Sequence, residues 1–287
     1  MGFSVLLNPI FKWLNHQRPI SDEPLTNFER IKQELRSCDV ILIEGRSRAS
    51  EVIKIITQSP WSHAALFIGK LCDIEDPRVR DTIRQHYHGD DNTPLLLESA
   101  LGLGTVIRPI SVYENEHIRI CRPKGLREND ADDVIRYALS RIGFDYDVRQ
   151  ILDLARFLLP WRIMPRRWRS SLFKTNIGGV TKTVCSTLIA ESFNFVQFPI
   201  LPLVRHDENN NMRLYQINPK LILPSQFDYS PYFDVIKCPY IEYDAQEDYR
   251  LLPWQGLVAD STVIDDASVQ LNKMKKEGIY PPSKSLH

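Results

Sequence analysis

An α+β fold built on a small antiparallel sheet is predicted for this chain. Short apolar strand candidates cluster in its first half, helical periodicity flanks them, and Gly, Pro or polar breaks separate them. Among the segments, 39–44 (DVILIE) reads as a short buried strand, and 50–57 as a helix halted before Ser59-Pro60. Four more strand candidates follow at 62–69, 94–100, 105–110 and 117–122. Together they suggest a mostly antiparallel, barrel-like sheet with a helix packed against it.

The helices are read from spacing. Residues 22–37 open with Asp22, Glu23 and Pro24 and then place Leu25, Phe28, Ile31 and Leu35 on one stripe, which predicts an amphipathic lead-in helix. Residues 130–142 carry Val134, Tyr137, Ala138 and Ile142 along a face behind Asn129 or Asp130 as cap, and Gly143 stops them. Residues 183–195 place Val184, Leu188, Ile189 and Phe193 at helical offsets after Gly178-Gly179, so Cys185 falls in the first turn. Beyond it, 220–227 reads as a short helix and 233–237 as a strand. Residues 245–287 read as a polar tail around one weak helix at 266–275.

Composition narrows the function. Lys plus Arg and Asp plus Glu both total 36, so no global field draws the chain to nucleic acid. Five cysteines, odd in number and without a CxxC pair, argue against a disulfide framework or zinc site and for a reducing, cytoplasmic setting. The sequence shows neither a membrane-length apolar run nor the pattern of a secretory signal, and the mature chain is expected to begin near Met1. Its Met-Gly-Phe-Ser-Val-Leu start places Leu6 where a myristoylation pattern wants Ser or Thr, so acylation is not expected. Residues 3–14 are largely apolar around Pro9 and suit packing or a membrane interface, with packing the expected role.

Chemistry concentrates on one cysteine. A thiol is a good nucleophile only as thiolate, and a helix start together with a neighbouring imidazole lowers its pKa from ~8.5. Cys185 has the helix start. His63, at the beginning of a strand after Ser59-Pro60-Trp61, is placed to act as general base. An imidazole must also be held in one tautomer, and Glu98 can accept its second N–H. Three leucines, Leu95 to Leu97, precede this charge in an apolar strand, a costly position unless Glu98 is paired.

In order, the segments are DVILIEGRS (39–47), SPWSHAALFIG (59–69), LLLESALGLGTVIRPI (95–110), GFDYD (143–147) and VCSTLIAESF (184–193). This order resembles the permuted branch of the NlpC-type papain-like superfamily, in particular the YiiX/YebB-like cysteine hydrolases, in which the histidine strand precedes the cysteine helix. The resemblance covers about 39–237 and implies a circularly permuted papain-like fold. It makes Cys185 the nucleophile, His63 the base and Glu98 the third polar residue. Tyr146 and Asp147 match the pair that supports the site, and Ser186 and Trp61 join them as support or substrate-facing positions. Relatives often carry an aromatic residue before the cysteine, where Val184 stands here. The implied layout is an N-terminal extension (1–38), a catalytic domain (39–244) with an insertion at about 148–180, and a tail (245–287).

The reaction so implied is hydrolysis of an amide, ester or thioester through a thioester acyl-enzyme, with a peptide- or lipid-type acyl substrate and neither metal nor organic cofactor. A lipid-directed acyltransferase or lipase is the alternative within enzymes, and a catalytically silent peptide- or lipid-binding module the alternative outside them. Residues 149–173 interleave Leu152, Phe157, Trp161 and Trp168 with Arg149, Arg156, Arg162, Arg166, Arg167 and Arg169. Such a mixture suits either an anionic membrane surface or a packed helix followed by a basic loop. His86, His88, Asp90 and Asp91 have metal-ligand types in no familiar ligand spacing and read as a solvated loop. Cys38, Cys72, Cys121 and Cys238 read as structural or incidental thiols.

Overall fold

A computed structural model of the chain describes residues 13–17, 25–144, 185–241 and 252. Residues through Tyr240 belong to one compact unit and those from Ile241 to a second, in which 241 and 252 are described. The tail helix expected at 266–275 lies outside the described residues.

The first unit is organised by a six-stranded antiparallel sheet. Its strands are β1 (Val40–Glu44), β2 (His63–Gly69), β3 (Leu95–Ala100), β4 (Gly104–Pro109), β5 (His117–Pro123) and β8 (Phe233–Ile236), in the order β4-β3-β2-β1-β5-β8. The sheet is open. Strands β4 and β8 stand at its two ends with one partner each, so the expected barrel-like closure is not realised among the described residues. The mixed α+β architecture and the antiparallel pairing agree with the sequence reading.

Both faces of the central strands are covered, which explains why they read as continuous apolar runs without clean alternation. On one face, Val40, Leu42, Ala64, Leu66, Leu95 and Leu97 pack with Leu188, Ile189 and Phe193 of α5 (Cys185–Phe195) and with Val134 and Ala138 of α4 (Glu128–Leu139). On the other, Ile41, Ile43, Ala65, Phe67 and Leu96 pack with Ile31 of α1 (Phe28–Glu34). Alternate residues of each strand therefore serve two cores.

The structure redraws several helix bounds for local reasons. The lead-in helix begins at Phe28 because Asn27 caps it through Arg30 N–H, while Thr26 and Asn27 are tied to β5 and to Cys238. Helix α2 (Arg48–Thr57) starts one turn after β1, capped by Ser47, and ends at Gln58 in the left-handed conformation. Helix α3 (Pro77–His86), capped by Asp76 with Pro77 in its first turn, occupies a stretch in which sequence reading found no helix. Helix α4 takes Arg127 rather than Asn129 or Asp130 as its cap. The short helix expected at 220–227 is split by Pro224 into a 3-10 turn (Pro219–Leu221) and α6 (Ser225–Tyr229). A hairpin of β6 (Leu203–His206) and β7 (Met212–Tyr215) also went unread; its residues are exposed throughout, and the two strands are only four residues long.

Candidate active site

Where β2 begins, the chain is clamped before it reaches the histidine. Ser62, buried, accepts the Gly45 N–H at 3.0 Å, and its own N–H donates to the Ile43 carbonyl, which joins the start of β2 to the end of β1. Trp61 is buried alongside. Its indole N–H donates to Asp228 Oδ2 at 3.2 Å, its ring stacks on His117 at 5.5 Å, and the Arg119 guanidinium lies 4.7 Å over its face. Trp61 is thus an anchor for the strand that carries His63.

His63 and Glu98 lie on neighbouring strands, and the two-residue strand period places them on the faces that carry Ala65 and Leu96. His63 Nε2 and Glu98 Oε2 are 2.5 Å apart. The Glu98 side chain has no solvent exposure, whereas that of His63 is 19% exposed, so the imidazole stands between a buried carboxylate and the outside. Glu98 is fully engaged: Arg108 of β4 donates to Oε1 at 3.2 Å, and the Tyr113 hydroxyl, from the 3-10 turn Ile110–Tyr113, donates to the same Oε2 that meets His63. Burial pushes the Glu98 carboxyl up, but bonding to His63 and Tyr113 and the charges of His63 and Arg108 outweigh it and hold the pKa below the usual value.

Cys185 arrives from the opposite face, at the first described residue of α5, and is 5% exposed. Burial raises its thiol pKa. The charge of His63, a hydrogen bond with that imidazole and the backbone N–H groups of Ala64 and Ser186 lower it by more, leaving it below the ordinary thiol value. Burial likewise opposes the charge on His63, yet contact with Cys185 and Glu98 raises its pKa to about 10. With Nε2 committed to Glu98, Nδ1 is the nitrogen left to exchange a proton with the sulfur. In the ion-paired state Cys185 and Glu98 carry negative charge and His63 and Arg108 positive charge, so the four cancel.

The structure therefore brings Cys185, His63 and Glu98 together. Ser186 lies beside them with its hydroxyl turned away, donating to the Ile222 carbonyl at 2.6 Å. Tyr146 and Asp147 lie outside the described residues, as do Val184 and 149–173. Sequence reading missed Arg108 and Tyr113. Arg108 had a signal, since it is a lone cation in an apolar strand next to one with a lone anion, and the register Glu98↔Val106 with Leu96↔Arg108 sets it diagonally across from Glu98. Tyr113 had none, because it comes from an irregular turn. Among the described residues no group of three or more His, Cys, Asp or Glu is arranged to hold a metal ion, and no helix is long and apolar enough to cross a membrane.

No protein-family model matches the chain, and no curated protein does either. Among solved structures, the crystal structure of metalloprotein yiiX, DUF1105, from Escherichia coli O157:H7 matches with a TM-score of 0.41 and 12% identity, over 72% of this chain and 98% of that one. It is a distant structural neighbour.

Proposed function

We propose that this protein is a cysteine hydrolase that cleaves an amide, ester or thioester bond through a thioester on Cys185, with His63 as acid and base and Glu98 as the orienting carboxylate, in a circularly permuted papain-like fold. The observation that carries this reading is one chain of contacts. A helix-start cysteine with a lowered pKa bonds an imidazole whose other nitrogen meets a fully buried carboxylate.

In this mechanism the Cys185 thiolate attacks the substrate carbonyl carbon, and the carbonyl π electrons move onto oxygen. The backbone N–H of Cys185 is available at a helix start to meet that oxyanion. His63 gives its proton to the leaving group as the C–N, C–O or C–S bond breaks, which leaves a thioester. The neutral imidazole then takes a proton from water, the hydroxide attacks the thioester, and collapse returns thiolate and imidazolium with release of the acid. The test is whether Cys185 carries an acyl group during turnover of an activated ester.

The catalytic domain is proposed to span 39–244, with an insertion at about 148–180. Within that insertion, residues 149–173 are proposed to contact anionic membranes, on the sequence observation of clustered Arg beside Trp and Leu in an otherwise neutral chain. Each basic residue near an anionic surface contributes about 1 kcal/mol, so changing Arg162, Arg166, Arg167 and Arg169 together to Gln is expected to weaken cosedimentation with anionic liposomes by about two orders of magnitude or more. Binding that is equal for both proteins, or unaffected by salt, would remove this proposal.

A further inference from the structure

Resting on the Cys-His-Glu reading, we infer that Tyr113 is a positioning residue for the nucleophile, acting on Cys185 through Glu98 and His63. Glu98 Oε2 receives two donors at once, the His63 Nε2–H and the Tyr113 hydroxyl, while Oε1 receives Arg108. A carboxylate can turn about its last C–C bond, and a turn would take Oε2 away from the imidazole. Tyr113 on one oxygen and Arg108 on the other prevent that turn.

The donor is also a dependable one. Burial, and after it the Glu98 charge, raise the Tyr113 pKa well above the ordinary phenol value, so the hydroxyl keeps its proton throughout the working range. The Tyr113 ring lies against that of His63, with centroids 6.0 Å apart and planes tilted by 43°, and the Arg108 guanidinium is 6.0 Å over the Tyr113 ring. One side chain thus touches each member of the carboxylate-imidazole pair. Among the described residues the charged and titratable groups that meet here are Cys185 from α5, His63 from β2, Glu98 from β3, Arg108 from β4 and Tyr113 itself.

Tyr113→Phe removes the hydroxyl and keeps the ring, so a role in packing predicts no change. Loss of the positioning bond lets Glu98 turn, destabilises the imidazolium and raises the pH at which the thiolate forms. The readout is the pH dependence of iodoacetamide alkylation at Cys185, followed by peptide mass spectrometry, with the thermal unfolding midpoint as the folding control. The expected result is an acid limb displaced upward by about half a pH unit, which is about a threefold loss of alkylation rate on that limb. In the Glu98→Ala background the same substitution is expected to move the limb no further. An unmoved limb in Tyr113→Phe overturns the inference while leaving the reading of Cys185 intact. An equal displacement in the Glu98→Ala background also overturns it, since Tyr113 would then act without Glu98. A wild-type Cys185 with no lowered limb overturns the Cys-His-Glu reading itself, and this inference with it.

Discussion

Iodoacetamide at pH 6 is expected to alkylate Cys185 at least about tenfold faster than any of the other four cysteines. At that pH an ordinary thiol with pKa ~8.5 is about 0.3% thiolate, and only the thiolate reacts. Burial, the largest influence on Cys38 and Cys121, pushes both thiols far above the ordinary value, with nearby aspartates adding to it. Cys238 is buried too. Exposed Cys72 is held up first by its hydrogen bond to Asp73. Cys185 shifts downward, where Cys38, Cys72 and Cys121 shift upward. The sign of the pH dependence follows from its partner. The thiolate-imidazolium pair forms as pH rises through the lowered Cys185 pKa and persists until His63 loses its proton near its raised pKa of about 10. Selectivity for Cys185 should therefore be greatest in mildly acidic solution and shrink as pH rises toward the ordinary thiol range. Peptide mapping after timed alkylation at several pH values measures it, and comparable labelling of Cys72 and Cys185 at pH 6 contradicts the ion pair.

His63→Ala is the second large effect. Without the imidazole, Cys185 keeps its burial and two backbone donors but loses the charge that offsets desolvation, so its pKa returns toward or above the ordinary value. Alkylation of Cys185 at pH 6 is expected to fall at least about tenfold. Folding should survive the change: the histidine is the partly exposed member of the group, and Arg108 and Tyr113 still hold Glu98. Circular dichroism and thermal unfolding check that point. Retention of the wild-type alkylation rate in a folded His63→Ala protein would show that the helix start alone activates the thiol.

The parts of this structure that sequence reading recovered share a physical feature. Strands β1 to β5 were legible because residues such as Ile41, Leu42, Leu66 and Leu96 are buried on two faces and stand out as apolar runs between Gly, Pro and polar breaks. The placement of Cys185 was legible from the 3.6-residue stripe of Leu188, Ile189 and Phe193. Helix α3 was hidden because its apolar residues, Val79 and Ile83, are few among polar ones. The open edge of the sheet could not be read, since strand patterns report which faces are buried and not whether the ends meet. In the site, Glu98 announced itself as a charge in an apolar strand. Its partner Arg108 stood out as a lone cation in the next strand but needed the β3-β4 register to be placed, and Tyr113 needed the path of a turn, which a one-dimensional pattern does not encode.

The most direct test of the central claim is mixing the protein with p-nitrophenyl acetate, quenching in acid and locating any acetyl group by mass spectrometry. The expected result is a burst of p-nitrophenol stoichiometric with enzyme, an acetyl group on Cys185 that hydroxylamine removes, and continued turnover as the thioester hydrolyses. Cys185→Ala should show neither burst nor turnover. A folded wild-type protein that leaves Cys185 unmodified would contradict a hydrolase and favour a fold that binds without catalysing, and one that acetylates it once and never releases the acid would contradict a hydrolase and favour an acyltransferase.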